Sequence, residues 1–173
     1  MASKVLFLVF FVSIFYYFDE GQSATEYVSP VLKNNKLPPN WFTYEGKTYY
    51  VGTVLKANFY GAWQYCRQQK MQLLSINSRE ESDRIAKFIV DNGLINDQFW
   101  TSGSNFGDGK TWVWLSTGKK ISYTNWYPDQ PDNYDSSENC IEVKYWEGKG
   151  FLWNDEGCLN EVYFICESVP GCK

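Results

Sequence analysis

Asp129, Asp132, Asp135 and Glu138 fall at every third position of the stretch YPDQPDNYDSSENC, with no Lys or Arg among them. On a helix that spacing would stack like charges, and Pro128 and Pro131 forbid the helix in any case. Carboxylates crowded into an irregular loop repel one another unless a cation joins them. Hard cations such as calcium take six to eight oxygen ligands from carboxylates, amide carbonyls and water. The chemistry this loop invites is therefore the binding of a hard divalent cation.

Other chemistries are excluded by composition. The chain has no histidine, so no Ser-His or Cys-His pair can operate. Its five cysteines, Cys66, Cys140, Cys158, Cys166 and Cys172, include no CxxC pair, which argues against structural zinc. The formal net charge is −4 and there is no basic run, so neither nucleic acid nor an anionic membrane is an expected partner.

The elements that must position the loop are readable in outline. Lys4, the apolar run Val5 to Phe18 and the following DEGQSA predict a signal peptide over residues 1–23, cleaved after Ser23 or Ala24. At about 14 residues the run is shorter than the roughly 20 a membrane span needs, so membrane insertion is not expected. Secretion follows, and with it paired cysteines. An odd count leaves one thiol over. Cys172, behind Pro170-Gly171, is the natural candidate for bridging to another chain. Residues 24–40 are a polar lead-in, 41–168 form one domain, and 169–173 are a tail.

Within the domain, WFTYEGKTYYVGTV reads as a hairpin broken at Glu45-Gly46. Asn58 caps a helix, FYGAWQYCRQQ, with Phe59, Trp63 and Cys66 on one face. LLSI is a short buried strand. Ser78 to Glu81 is a capping box opening a second helix to about Val90, with Ile85, Phe88 and Ile89 as its apolar face and Asn92-Gly93 as its end. Beyond Asn96, short aromatic bursts alternate with turns, a strand-and-loop half. The fold class is α+β. The long loop Asn125 to Asn139 has no regular pattern, and a loop of that length in a compact domain is commonly functional.

Taken in order, Cys66, NWYPDQPDN, ENCIEV, LWNDEGC and YFICE resemble the C-type lectin domain family, from about Trp41 to Glu167. FWTSG and WVWLSTG further resemble secreted insect-type members. The resemblance implies a double-loop domain with two helices and two small antiparallel sheets. It implies disulfides Cys66–Cys166 and Cys140–Cys158, leaving Cys172 as the candidate inter-chain cysteine of a homodimer. It implies a calcium site of Gln130, Asp132, Glu138, Asn154 and Asp155, with the Gln130-Pro131 bond cis. In the family, two neighbouring hydroxyls of a hexose coordinate that calcium and bond to its protein ligands. Charge-assisted bonds of this kind are stronger than neutral ones.

Which sugar fits depends on where amide and carboxylate stand, because an amide can donate and a carboxylate only accepts. In the family, Glu-Pro-Asn goes with mannose-like hydroxyl pairs and Gln-Pro-Asp with the axial 4-hydroxyl of galactose. Gln130-Pro131-Asp132 thus implies galactose or N-acetylgalactosamine, on glycoproteins or cell surfaces. Tyr134 stands where galactose-binding relatives place a Trp, available to pack on the sugar's C–H face. The glycine-rich insertion of some relatives is missing, since DSSE follows directly. Trp153, Trp126, Trp100, Trp112 and Trp114 are expected in the core. Asn133, Asn139 and Asp108 offer little for an auxiliary calcium site.

The functional expectation is a secreted, calcium-dependent lectin that agglutinates cells or microbes in innate immunity. The alternative is a protein-binding module using calcium as a staple. An enzyme is not expected: carboxylates bound to calcium are poor proton carriers, and no second acidic cleft is visible. The chain has no N-x-S/T sequon.

Overall fold

The computed structural model describes residues 37–169. The expected signal peptide, most of the lead-in and Cys172 lie outside them. The described residues contain nine strands: β1 Trp41–Tyr44, β2 Lys47–Ala57, β3 Met71–Leu73, β4 Gln98–Ser104, β5 Val113–Trp114, β6 Lys119–Lys120, β7 Glu138–Trp146, β8 Gly150–Gly157 and β9 Val162–Ser168. Helix α1 spans Phe59–Gln68 and α2 spans Arg79–Asp91.

The strands fall into two antiparallel groups. One is β1-β2-β9, with β3 also on β9; the other is β5 and β6 beside β4, with β7 and β8 on its other edge. The resemblance implied two separate sheets. Here a short parallel pairing, Phe99 to Tyr163 and Trp100 to Phe164, joins β4 to β9 and makes one mixed sheet. The close approach of β4 and β7 depends on Gly103, where an added Cβ would stand 2.5 Å from the Ile141 side chain.

Both helices cap as their sequences dictate. Asn58 Oδ1 accepts from Gly61 N at 2.9 Å, and Ser78 Oγ accepts from Glu81 N at 3.1 Å. The second half of the capping box differs from the simple motif. Glu81 Oε2 reaches past Ser78 to accept from Asn77 N, while Oε1 accepts from Tyr49 Oη and Lys47 Nζ. Lys47 also bonds Glu167, so one half-exposed ammonium ties β2, α2 and β9 together. Burial of the Glu167 carboxyl raises its pKa despite that ammonium.

Ile85, Phe88 and Ile89 of α2 are buried as expected. On α1 the buried stripe is Phe59, Ala62 and Cys66, and Trp63 is 43% exposed, a correction to its expected place on the apolar face. The predicted LLSI strand is shifted. Pairing with β9 occurs at Met71–Leu73, and Leu74 to Ile76 stay buried beyond it. Cys66–Cys166 and Cys140–Cys158 are bonded, at sequence separations of 100 and 18. Trp100, Trp114 and Trp153 are fully buried, Trp100 in the cluster around Cys66 and Cys166, and Trp112 and Trp126 are partly buried against the cluster that holds Trp114 and Trp153.

Candidate functional site

The long loop is anchored at both ends. Its entry zips onto β8: Trp153 N donates to Asn125 O, Tyr127 N to Trp153 O, and Asn125 Nδ2 to Phe151 O. Trp153 packs edge-on against Trp114, Tyr123 and Trp126, so the entry is held by an aromatic cluster. Its exit runs into β7, which pairs with β8 along its length and is bonded to it through Cys140–Cys158. Between the anchors the chain turns tightly. Gln130-Pro131 is cis, Asn133 has a left-handed φ of 48°, and a 3₁₀ turn covers Tyr134–Ser136.

Backbone N–H groups of the loop converge on two carboxylates. Asp155 Oδ1 accepts from Asp132 N and Oδ2 from Asn133 N. Glu138 Oε2 accepts from Tyr134 N at 2.9 Å, while Glu138 N donates to Asn133 Oδ1. The outcome is a cluster in which Asp132, Glu138 and Asp155 each place a carboxylate oxygen within 4.8 Å of the others. Asp155 is buried, Glu138 partly so, and Asp132 exposed. Burial, and then the neighbouring carboxylates Asp155, Glu156 and Asp132, push Glu138 up to about 7. Burial also raises Asp155, against the two backbone N–H groups that favour its charged form. Three carboxylates held this close are a donor set that a divalent cation fits.

Gln130 and Asn154 flank this cluster. Gln130 Oε1 accepts from Asp132 N at 3.1 Å. Asn154 Nδ2 donates to Glu142 Oε1 at 3.3 Å, which leaves the amide's carbonyl end for another partner. The two residues share the wall of a cavity of about 360 Å³. Tyr134 is tethered to the cluster through its backbone N–H, and the residue is 67% exposed. Asp129 and Asp135 are exposed and belong to the turns, both with positive φ.

Asp108 is engaged elsewhere. Asp108 closes its own turn, accepting from Lys110 N, Thr111 N and Thr111 Oγ1, and these bonds pull it down to about 2. Asn139 is held through its backbone, whose carbonyl accepts from Asn105 N. One residue of the site escaped sequence reading. Glu142 is buried on β7, its Oε1 accepts from both Gln98 and Asn154, and its Oε2 has no partner. Burial pushes it up to about 7. The available signal was only a carboxylate set between the apolar residues Ile141 and Val143.

Sequence and structure comparisons agree with this architecture. Residues 55–168 match the C-type lectin domain, and the chain belongs to the C-type lectin family. It is similar to C-type lectin 37Da of Drosophila melanogaster, at 34% identity over 128 residues covering 70% of this chain and 68% of that protein. It is also similar to perlucin of Haliotis laevigata, 31% identical over 129 residues covering 75% and 81%. Among solved structures, the carbohydrate-recognition domain of the mouse scavenger receptor C-type lectin superposes with a TM-score of 0.67 at 33% identity, covering 77% of this chain and 98% of that one. The Drosophila relative is named a C-type lectin and the mouse domain a carbohydrate-recognition domain; as a member of this family the chain is a binding protein and no enzyme.

Proposed function

We propose that the protein is a secreted, calcium-dependent lectin for galactose or N-acetylgalactosamine. The observation that carries the reading is the convergence of Asp132, Glu138 and Asp155 within 4.8 Å beside Gln130 and Asn154. Calcium would be held by Gln130, Asp132, Glu138, Asn154 and Asp155. When bound, it would supply a positive centre for two adjacent sugar hydroxyls. The chain's own residues set the orientation: Gln130 and Asn154 offer amides and Asp132, Glu138 and Asp155 accept. The Gln130-Pro131-Asp132 order supports galactose over mannose, with Tyr134 open for the sugar's apolar face. Secretion rests on the apolar stretch after Lys4, and is supported by two disulfides.

A single shallow site binds a monosaccharide at about millimolar strength, roughly −4 kcal/mol. Agglutination of cells or microbes, as in innate immunity, therefore needs several sites on one particle. A Cys172-linked homodimer would supply two. The test is retention on immobilised galactose with calcium and release by a chelator. Retention on no sugar column would instead leave a calcium-stapled protein-binding module.

A further inference from the structure

Glu142 puts a carboxylate where a carboxylate is costly. It is 3% exposed on β7, opposite Trp100 on β4 and Asn154 on β8. Among the described residues no salt bridge reaches it. Lys144, next on the same face of β7, has its Nζ 5.5 Å from the centre of the Trp146 ring. That ring in turn stacks on Tyr127 at 4.3 Å between centroids. What Glu142 holds instead is two side-chain amides. Its Oε1 accepts from Gln98 Nε2 at 2.8 Å and from Asn154 Nδ2 at 3.3 Å, while Oε2 has no partner. A glutamine would fill the same space without burying a charge, so packing alone gives no reason for the acid.

We infer that Glu142 is a positioning residue, which holds the Asn154 amide in the orientation that leaves Oδ1 free to ligate calcium at the loop. An amide turned over about its last bond exchanges Oδ1 for Nδ2 in nearly the same volume. Calcium takes the oxygen and not the nitrogen. A carboxylate only accepts, so it bonds Nδ2, and the overturned amide would set oxygen against oxygen. A glutamine both donates and accepts, and so tolerates either orientation. Gln98 tethers the same Oε1 from β4, so amide, carboxylate and amide stand in file across β4, β7 and β8. The buried charge is then retained for direction, at a cost in stability. The inference rests on the loop being a calcium site.

Calorimetric calcium titration, paired with urea denaturation in chelator, tests it at pH 8. Glu142→Gln weakens calcium binding about tenfold, the lower end of what partners behind metal ligands are worth. The same variant keeps or raises metal-free stability, because an orphaned buried carboxylate is gone. Glu142→Met, which neither donates nor accepts, shows the same loss of affinity. Glu156→Gln is the control for charge alone. Glu156 acts electrostatically on Glu138 but bonds Gly157 N and Asn160, not a ligand amide. Its neutralisation changes calcium affinity less than about threefold. Unchanged affinity in Glu142→Gln overturns the positioning role and spares the loop reading. Equal weakening by Glu156→Gln overturns it in favour of bulk charge. A fall in metal-free stability matching the fall in affinity overturns it in favour of a structural role. If the unsubstituted protein takes up no calcium, the loop reading fails and this inference with it.

Discussion

The Asp155 carboxylate accepts from two consecutive loop amides, Asp132 N at 3.1 Å and Asn133 N at 2.9 Å. One buried side chain on β8 thus shapes the turn that carries the candidate ligands. Asp155→Ala leaves both amides without that partner. In the presence of chelator this change lowers stability by about 1.5–3 kcal/mol, the usual worth of hydrogen bonds to a charged group. Urea denaturation of the metal-free variant checks it. An unchanged midpoint would show that the loop does not depend on Asp155.

Glu138, pushed up to about 7 from its ordinary 4.5, sets a pH dependence of two signs. In metal-free protein the folded state holds this proton more tightly than the unfolded state. The resulting stabilisation is full below about 4.5 and is lost as pH rises through about 7. Glu142, also near 7, acts in the same direction. Calcium needs the deprotonated form, so its affinity weakens by up to about tenfold per pH unit below 7. Calcium titrations at pH 7.5, 6.5 and 5.5 read this out. Equal affinities at all three would rule out Glu138 as a ligand.

Exchanging the chemistry of the two loop ligands should exchange the sugar. Gln130→Glu with Asp132→Asn reverses the order of amide and carboxylate around Pro131. The double variant moves from galactose to mannose columns and keeps its calcium requirement. Undiminished galactose retention would refute the assignment of specificity to this pair.

The two disulfides should differ in what they protect. Cys66–Cys166 closes about 100 residues and Cys140–Cys158 about 18. In the chain-entropy account their loss costs up to about 4.7 and 3 kcal/mol. Removing the second pair also weakens calcium binding, because it ties the start of β7 to the end of β8 beside Glu138 and Asp155. Paired Cys→Ala variants, compared by melting and by calcium titration, distinguish the two. Equal calcium affinity in both would dissociate the bridge from the site.

Trp153 is fully buried and its Nε1 has no partner. Trp153→Phe removes the orphaned donor together with some packing, so the two effects partly offset and the net change stays below about 1.5 kcal/mol. Trp153→Ala opens a cavity under the loop entry and costs about 3–5 kcal/mol. Denaturation midpoints of the pair decide the matter, and comparable losses would contradict a purely packing role.

Local order was legible and long-range pairing was not. The break at Glu45-Gly46, the Asn58 and Ser78 caps and the apolar face of α2 each follow from residues within one turn of chain. The shift of β3 and the parallel Phe99–Tyr163 contact follow from which strand arrives beside which, information spread over tens of residues. Trp63 was misplaced because the buried stripe of α1 centres between Phe59 and Ala62, and a residue roughly 60° away sits at its margin. Of the four loop carboxylates that stood out as like charges without cations, Asp132 and Glu138 join the cluster and Asp129 and Asp135 do not, while Asp155 on β8 was reached only through the family resemblance. Glu142 was hidden by its strand, where Ile141 and Val143 supply the pattern and a polar residue between them reads as solvent-facing.

The Tyr127–Trp146 stack gives the molecule an optical property. Among the described tryptophans, Trp63 on α1 and Trp146 on β7 are the most exposed, and the indole of Trp146 lies in the cavity wall. Lys144 and Lys149 stand over the two rings and attract anions. With Trp63 replaced by Phe, iodide quenching of the remaining emission would weigh Trp146 heavily. Occupancy of the loop site, whose Gln130 and Asn154 share that wall, would then be readable from the protein's own light, without a label.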